Sequence, residues 1–419
     1  MRFCGNCCQM QGKSITAIAA ILLTCAGCGE DSPSGLGTSY NPVTSTSTPA
    51  TPVPPKPITG LAQSPAIATF EKPWAVKVMP DGNLLVTQRS ATGAISVVTP
   101  QGVITVVTGL PDTVGVLDVK LATDFVFTRT IFFSCMVRDV SAPRVGRAAS
   151  DPAQFPERMM LYRARLIAGA NGTLTLSGLT EMFRQDPTIV APVGSGEPGG
   201  RIEFSPDGRY LYLTSGDRQE LDAAFLFDLS NNLGKMIRLR IDGTVPNDNP
   251  FFGTPGAKTE IWSLGHRNAY GLGFAPDGRL WSAEHGPKGG DELNIILPGR
   301  NYGWPAVSNG DNYDGSPIPD HAPGDGFDAP VISWTPVIAP AGMIFYRGNE
   351  YADWRGDILL TGLQSKGLVR VRVSGDTAQE VQRIDLGTRI RDIAEGLDGS
   401  LWIITDGAAG ELRKLSPVF

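Results

Sequence analysis

Short apolar stretches alternate with Gly- and Pro-containing turns along most of this chain, and one combination recurs. An Asp-Gly pair is followed each time by a run of apolar residues, in the segments Pro80–Thr87, Pro206–Leu213, Pro276–Trp281 and Leu397–Ile404. An Asp-Gly pair favours a tight turn, and an apolar run after it favours a buried strand. Each copy therefore predicts a turn that leads into a hydrophobic inner strand. With 50 Gly and 33 Pro among 419 residues, many short strands are expected rather than long helices.

The spacing of these copies predicts the architecture. Their glycines, at positions 82, 208, 278 and 399, are separated by 126, 70 and 121 residues. Two gaps of nearly twice about 60 residues indicate two degenerate copies, for which Thr123–Phe133 and Trp354–Leu360 are the candidates. Six units of four strands predict an all-β, six-bladed β-propeller. A β-sandwich with Asp-Gly hairpins is the alternative, but it does not require even spacing over so long a chain.

The N-terminus has the pattern of an export signal. Arg2 and Lys13 precede an apolar stretch, Ile15–Leu23, which is too short to span a bilayer. Ala26-Gly27-Cys28 resembles a bacterial lipobox, which implies a signal peptide over residues 1–28 and lipidation of Cys28, although Cys25 stands where Leu is usual. A cleaved signal without a lipid, or neither, are the alternatives. Five of the six cysteines precede residue 29, so a mature chain keeps Cys28 and Cys135 and no internal disulfide is expected.

Residues 29–61 are rich in Ser, Thr and Pro and predict a linker, and residues 62–419 predict one large exported domain. The net charge of −6 without a basic run argues against nucleic acid as a partner. It also limits membrane contact to the N-terminal lipid anchor, on the periplasmic face or elsewhere in the cell envelope. No GxSxG elbow or Walker loop is present, and nothing resembles the strand–turn–helix of a Rossmann dinucleotide site or a metal site of paired CxxC motifs, so an NAD enzyme, a serine hydrolase and an NTPase are disfavoured.

Polar residues concentrate between the predicted strands, where loops at one face of a propeller channel form a site. The dense segments are Gly196–Arg201 with Ser215–Arg218, Leu264–Leu272, and Glu284–Asn294 with Asn301–Pro305.

Several of these segments occur in a fixed order together with Leu233–Phe251, Ile338–Met343 and Arg389–Asp392. From about residue 70 to the C-terminus the chain is therefore similar to the quinoprotein glucose/sorbosone dehydrogenase family, in particular to the soluble aldose sugar dehydrogenases. The resemblance implies a six-bladed propeller that binds pyrroloquinoline quinone (PQQ) and Ca²⁺. It also implies oxidation of the anomeric hydroxyl of an aldose sugar, or of a related alcohol, to a lactone.

The resemblance implies a cofactor pocket in which Arg267 and Asn268 contact the quinone and its carboxylates. A planar tricarboxylate suits guanidinium groups, and Arg389 and Arg391 have the period-2 spacing that puts both on one face of a strand. Surface salt bridges are the alternative for that pair and for Arg267. The other residues assigned to the pocket are His285, Thr113 where the family has Gln, and Gln364 where it has Lys, with Lys366 as a stand-in.

For calcium, the resemblance implies that the carbonyls of Gly286 and Pro287 hold one ion against the quinone. A second, structural ion is implied at Glu292 and at the backbone carbonyl of Tyr302, beside which Asp291 either supports the site or is solvated. The acidic segment 309–328 does not have EF-hand spacing and is interpreted as a solvated surface loop.

The family's catalytic His is replaced by Glu197 in this chain, so we predict that Glu197 is the base and that Asp217, which matches the acid that orients the His, is its neighbour. Two adjacent carboxylates raise the pKa of one of them unless Arg218 or Arg201 neutralises the pair. Pro198 predicts an extended backbone at Glu197. A site that binds the cofactor with little activity, or that takes a different ligand, remains open.

The favoured hypothesis is a PQQ- and Ca²⁺-dependent sugar dehydrogenase. The absence of a CxxCH haem signature implies an external electron acceptor. The rival is a non-enzymatic exported propeller that binds a ligand and has lost the base. A lactonase is a distant third, because it would need several acidic metal ligands around the channel. A monomer and a homodimer are equally compatible with the sequence.

Overall fold

The computed structural model describes residues 57–146, 153–190 and 196–419, all of which belong to one unit, Pro54–Phe419. The predicted signal peptide and most of the predicted linker lie outside the described residues. The last two residues of that linker, Gly60 and Leu61, already belong to a strand. Cys135 is buried, and within the described part of the chain its thiol is free.

The described residues are nearly all β. Their strands are β1 (Gly60–Gln63), β2 (Ala68–Phe70), β3 (Pro73–Val78), β4 (Leu84–Gln88), β5 (Ala94–Val98), β6 (Ile104–Thr108), β7 (Val116–Leu121), β8 (Thr130–Arg138), β9 (Glu157–Ala168), β10 (Leu174–Arg184), β11 (Gly199–Phe204), β12 (Tyr210–Ser215), β13 (Lys235–Arg240), β14 (Ile261–Leu264), β15 (Ala269–Phe274), β16 (Leu280–Glu284), β17 (Lys288–Gly289), β18 (Asp291–Ile295), β19 (Gly310–Asp311), β20 (Ile332–Trp334), β21 (Pro340–Phe345), β22 (Ile358–Gly362), β23 (Gly367–Ser374), β24 (Thr377–Asp385), β25 (Ile390–Glu395), β26 (Leu401–Thr405) and β27 (Gly410–Val418). The short helices are α1 (Phe125–Thr128), α2 (Ala223–Phe227) and the 3₁₀ turns Ala170–Gly172 and Ala352–Trp354. Among the described residues, no helix is long and apolar enough to cross a bilayer.

The Asp-Gly repeats form the turns that the sequence predicts. In all four copies the glycine N–H donates to the carbonyl three residues earlier, at 2.8–2.9 Å, and the glycine has a positive φ. The apolar runs become β4, β12, β16 and β26, and the degenerate copies lead into β8 and β22. Each of these is the second strand of its sheet, not the innermost one. The predicted position was wrong because burial on both faces makes first and second strands equally apolar.

The strands pair in consecutive groups of four. Antiparallel sheets contain β11–β14, β15-β16-β18-β20 and β21–β24, and a fourth sheet has the order β1-β27-β26-β25, with β2 also on β27. The remaining sheet has eight strands, β3-β4-β5-β6-β10-β9-β8-β7, in which two antiparallel groups of four meet through a short parallel pairing of β6 with β10. The separate pair β17–β19 braces a loop.

The first strands of these groups face one another. β3, β7, β11, β15, β21 and β25 each contact the next strand in this series, and β25 contacts β3. They surround a channel, as in a propeller. Apolar side chains fill the space between neighbouring sheets, for example Leu85 of β4, Val119 of β7 and Phe133 of β8.

A buried charge cluster lies among the first strands, centred on Arg201 of β11. The guanidinium Nη1 lies 3.2 Å from both Asp118 of β7 and Asp392 of β25. Its Nε and Nη2 donate to the carbonyls of Tyr270 in β15, at 2.7 Å, and Ala341 in β21, at 3.4 Å.

Lys77 of β3 completes this Arg201 cluster, with Nζ 3.0 Å from Asp392 and 3.6 Å from Asp118. One group of two cations and two carboxylates thus links all the first strands. Burial opposes the charge on Asp392, yet Arg201 and Lys77 hold the pKa of that carboxyl below its usual value.

The end of the channel where the first strands finish contains a cavity of about 540 Å³. Arg201 and Lys77 line its inner part, and Lys120, Glu203 and Phe345 are among the residues around it. None of the site residues predicted from the sequence lines this cavity, because they all lie outside the stretches of strand that form it.

We expect Arg201→Met to lower the free energy of unfolding by roughly 3–5 kcal/mol, since it leaves two buried carboxylates with only Lys77 as a cation. Chemical denaturation monitored by Trp fluorescence measures this. Arg209→Met, at an arginine with 64% of its side chain exposed, is the matched control and should change stability by less than about 1 kcal/mol. Equal stability of the two variants would contradict the central role of Arg201.

Candidate active site

Most of the predicted site residues lie at the end of the sheets where the first strands begin. The register places this end next to the last residue of each second strand, as Gly199 pairs with Ser215 and Ala269 with Glu284. Glu197 precedes β11, Asp217 follows β12, and Arg267 and Asn268 precede β15. The backbone thus brings loops that are distant in sequence to one edge of the channel.

Arg267 is the centre of this group and is almost fully buried. Its Nη2 lies 2.6 Å from Oε1 of Glu197 and donates to the hydroxyl of Tyr313 at 3.2 Å. Its Nη1 donates to the carbonyl of Gly286 at 2.9 Å, and the guanidinium lies 5.2 Å from the Trp304 ring. Burial opposes the positive charge, but the neighbouring carboxylates, Glu197 above all, raise the pKa of Arg267.

Glu197 is held in an unusual backbone conformation. Its φ is +35°, in the left-handed region, so the extended backbone predicted from Pro198 is wrong. The loop turns sharply here, because Gly216 packs against the Glu197 carbonyl so closely that a side chain at 216 would collide with it. This turn points the carboxylate towards Arg267. Within the described residues, Oε2 of Glu197 is buried without a donor.

Asp217 is fully buried beside Glu197. Its oxygens accept hydrogen bonds from the Trp304 indole and the Gln219 N–H, both at 2.8 Å. Burial, together with the negative charge of Glu197, raises the pKa of Asp217 well above its usual value. Burial and the neighbouring carboxylate both favour the protonated form of Asp217, whose proton could be donated to Glu197.

The cation in contact with Glu197 is Arg267, which the sequence did not suggest for this role. Of the two cations that it did suggest, Arg201 is committed to the cluster among the first strands, whereas Arg218 interacts electrostatically with Asp217 and also donates to Gln185 at 3.2 Å. The loop spacing alone did not reveal that Arg267 reaches across from β15.

Arg389 and Arg391 share one face of the chain around the start of β25, as their spacing predicts. Both bind Asp406, Arg389 at 2.8 Å and Arg391 at 2.6 Å. Arg389 also donates to the Leu363 carbonyl at 3.4 Å. Arg391 lies 5.9 Å from the ring of Tyr270, which contacts His285 edge to face, so the pair adjoins the site while its charge is partly balanced by Asp406.

His285 is half-buried between these arginines. Its Nε2 lies 2.8 Å from the Pro340 carbonyl, so this nitrogen carries the proton. Burial, followed by the charges of Arg267 and Arg391, lowers the pKa of His285 to about 3. The imidazole is therefore neutral near pH 7 and adds no charge to the site.

The loop after β16 carries the carbonyls proposed from the sequence as calcium ligands. Asp291 accepts from the N–H of Gly286 at 2.8 Å and from that of Ala339 at 2.6 Å, so it joins two loops and is not solvated. The Gly286 carbonyl faces the site, where it accepts from Arg267. A Ca²⁺ ion on this oxygen fits only if the Arg267 guanidinium moves away.

Glu292 lies in a second polar pocket, next to Glu284. Burial and the Glu284 charge raise the pKa of Glu292 well above its usual value. Asn294 donates to both carboxylates at 3.0 Å, while its own Oδ1 and both ring nitrogens of His321 lack hydrogen bonds among the described residues. The Tyr302 hydroxyl is occupied by Leu297, which leaves its backbone carbonyl as the possible ligand. Among the described residues, however, no group of three or more His, Cys, Asp or Glu side chains is placed to hold a metal ion.

Three predicted cofactor residues are not brought into the Arg267 group. The hydroxyl of Thr113 is buried and donates to the Met136 carbonyl at 2.8 Å. Gln364 and Lys366 lie in the exposed turn between β22 and β23. Asn268 supports the site indirectly, since its side-chain oxygen accepts from the Gly199 N–H at 3.2 Å and steadies the loop of Glu197.

Tyr313 and Trp304 contact Arg267, although the sequence pattern assigned neither of them a role. The segment 309–328 is not simply a solvated loop, because Tyr313 contacts Arg267 and the side chain of His321 is only 4% exposed. Trp304 lies in the polar segment Asn301–Pro305 and Tyr313 in the acidic segment 309–328, so both stretches were identified without a role for these side chains.

Comparisons with known proteins identify relatives of this chain. The model of the glucose / sorbosone dehydrogenase family matches residues 70–414. The aldose sugar dehydrogenase YliI of Escherichia coli (strain K12) is 34% identical over 365 residues, covering 83% of this chain and 91% of that protein. The crystal structure of the soluble aldose sugar dehydrogenase from Escherichia coli in the apo-form has a TM-score of 0.74 at 32% identity, covering 85% of this chain and 100% of that one. The PQQ-bound form of aldose sugar dehydrogenase from Streptomyces coelicolor has a TM-score of 0.64 at 25% identity, covering 86% and 98%.

The indole N–H of Trp304 allows the protonation of Asp217 to be measured by NMR, with the indole N–H of Trp334 for comparison. We expect the Trp304 Nε1–H resonance to titrate with a midpoint well above pH 3.8, the usual value for Asp217, and Glu197→Gln to lower that midpoint by removing the neighbouring charge. Trp334 is the internal control. Its Nε1 donates to Glu380 at 2.8 Å, and the net effect of burial, Arg383 and Trp334 itself lowers the pKa of Glu380 below 4.5.

A raised pKa of Asp217 also makes the stability of the folded state depend on pH. The folded state keeps the Asp217 proton at pH values where the unfolded chain has lost it, so this stabilisation is present at low pH and is lost as pH rises through the raised pKa. A Trp304 midpoint below 3.8, or one unmoved by Glu197→Gln, would contradict a pKa of Asp217 that burial and Glu197 raise.

Proposed function

The chain belongs to the glucose/sorbosone dehydrogenase family, as the motifs in its sequence indicated, and from that premise we propose that it is a PQQ-dependent dehydrogenase acting on an aldose sugar or related alcohol. The coarse class, an oxidoreductase of the sugar dehydrogenase type with a propeller fold, is that of its relatives. The cofactor, the substrate, the catalytic base and the calcium ions are our proposals. The observation that carries them is the ion pair of Glu197 with Arg267 at the end of the channel.

We infer six blades. The support is the closed series of first-strand contacts and the division of the eight-stranded sheet into two antiparallel groups of four. The sixth group is completed by the N-terminal strand β1 on the C-terminal strand β27.

The donor set suits a planar tricarboxylate. Arg267, Arg389 and Arg391 adjoin the same space around His285, and their guanidinium forks match carboxylate geometry. The partners that balance them now, Glu197 and Asp406, are protein carboxylates that an anionic ligand could replace in part. When bound, PQQ would supply the acceptor for the hydride that leaves the anomeric carbon.

Glu197 would accept the proton of the anomeric hydroxyl as that carbon becomes a carbonyl. Protonation of Asp217, which its raised pKa favours, would leave Glu197 as the carboxylate of the pair. Arg267 would orient this carboxylate, and the neutral His285 would form a wall without adding charge. The non-enzymatic alternative is not favoured, because a carboxylate stands beside the cofactor arginine.

We further propose that the mature protein is anchored through a lipid on Cys28 at the cell envelope and that an external acceptor takes its electrons. This rests on the sequence pattern alone, since residues 1–56 lie outside the described part. We propose one Ca²⁺ ion at Glu292 and the Tyr302 carbonyl. A second is proposed at the carbonyls of Gly286 and Pro287, once Arg267 no longer donates to the Gly286 carbonyl.

The function is tested by titrating the purified protein with PQQ and Ca²⁺ and then adding a panel of aldoses while the quinone absorbance is recorded. We expect micromolar binding and reduction of the quinone by at least one sugar. Glu197→Gln should lower the reduction rate about 10²–10⁴-fold, the usual contribution of a general base, with little change in PQQ binding.

Glu203→Gln is the matched control, because Glu203 lies in the strand that follows Glu197 but lines the opposite end of the channel. It should reduce the quinone as fast as the unmodified protein does. Absence of PQQ binding would overturn the proposal, and undiminished reduction by Glu197→Gln would assign the base elsewhere.

Calcium at Glu292 is tested by denaturation with and without a chelator. At a Ca²⁺ concentration of about 100 times the dissociation constant, the ion should add about 2.7 kcal/mol to the free energy of unfolding. Glu292→Gln should remove this gain, and in chelator it should be at least as stable as the unmodified protein, since the ionised carboxylate is opposed by burial and Glu284. Asp314→Asn, in an exposed turn, should keep the full gain, and a chelator without effect would refute the site.

A further inference from the structure

Tyr313 combines two properties that rarely occur together. It is 72% exposed, yet its hydroxyl lies 3.2 Å from the buried Nη2 of Arg267. An exposed aromatic ring is normally free to turn, whereas this one is tied at its tip to the most buried cation of the site.

The loop that carries Tyr313 is also fixed. Its N-terminal side pairs with the loop after β16, through Lys288 with Asp311 and Gly289 with Gly310. Its C-terminal side is a closed turn, in which Asp314 accepts from the backbone and hydroxyl of Ser316 at 2.9 and 2.7 Å. The ring therefore presents one orientation to the solvent at the mouth of the site.

A single nitrogen connects this ring with the proposed base. Nη2 of Arg267 is bonded both to the Tyr313 hydroxyl and to Oε1 of Glu197. The exposed ring of Tyr313 and the Glu197 carboxylate are thus both held to one guanidinium group.

We propose that Tyr313 is a substrate-binding residue, on which the apolar C–H face of a sugar ring stacks while a ring hydroxyl points to Glu197. This inference rests on the proposed function, whose substrate class it specifies as a cyclic sugar. The outer position of Tyr313, above the buried Arg267, favours the sugar over the quinone as the stacked group. Stacking removes apolar surface of both partners from water and leaves the sugar hydroxyls at the rim hydrated.

Calorimetry with methyl glucosides tests binding without turnover, because their blocked anomeric oxygen cannot be oxidised. The purified protein is titrated with and without PQQ and Ca²⁺. We expect Tyr313→Ala to weaken glucoside binding about 10-fold and Tyr313→Phe, which keeps the ring, to bind within about 2-fold of the unmodified protein.

With an oxidisable aldose, Tyr313→Ala should raise KM about 10-fold with kcat nearly unchanged, and PQQ affinity should not move. Phe127→Ala is the control, since Phe127 is 88% exposed in α1, between β7 and β8 at the opposite end of the sheets.

The outcomes separate the two proposals. Ring-dependent glucoside binding by a protein that fails to bind PQQ would overturn the dehydrogenase and leave this inference standing. Unchanged glucoside affinity and KM in Tyr313→Ala would overturn this inference alone. A loss of PQQ affinity in that variant would assign Tyr313 to the cofactor pocket and overturn it as well.

Discussion

The fold depends on one buried guanidinium. Arg201 binds groups from four other first strands, and Lys77 brings in the last, so the centre of the channel is a closed set of charges. The proposed site is built on the same strands: Glu197 lies four residues before Arg201, Arg267 three before Tyr270, and Arg391 immediately before Asp392. The positions of the site residues are therefore set by the same contacts that hold the sheets together.

The two charge clusters have opposite characters. Around Arg201 every strong partner belongs to the protein, and nothing in that set calls for a ligand. Around Arg267 the balance is incomplete: two carboxyl groups lie together and the pKa of Asp217 is raised, a carbonyl faces the space between loops, and an aromatic ring is exposed above them. Stability is concentrated in the first cluster, whereas the capacity to exchange partners is concentrated in the second.

The sequence predicted the β architecture well, because Asp-Gly turns and apolar runs are local signals that tertiary contacts reinforce. It also predicted which loops meet, through motifs in a fixed order, and the shared face of Arg389 and Arg391. It did not predict what each side chain would contact. Glu197 has a positive φ, its carbonyl packs against Gly216, nineteen positions away, and its partner comes from a different sheet. Thr113 illustrates the same limit, since a buried backbone carbonyl takes the hydroxyl that alignment assigned to the cofactor.

The pairing of β1 with β27 determines when the molecule can be completed. Thr59 and Val418 are bonded across 359 positions of sequence, so β1 has no partner strand until β27 has been synthesised. A chain emerging from its N-terminus can fold the intervening sheets in succession, but the ring stays open until its two ends meet. Deleting residues after 410 would thus release the start of the domain as well as its end, and the sheet edge then exposed on β26 would be open to strands of other chains. Closure of the ring of sheets therefore depends on β27 and follows the pairing of this strand with β1.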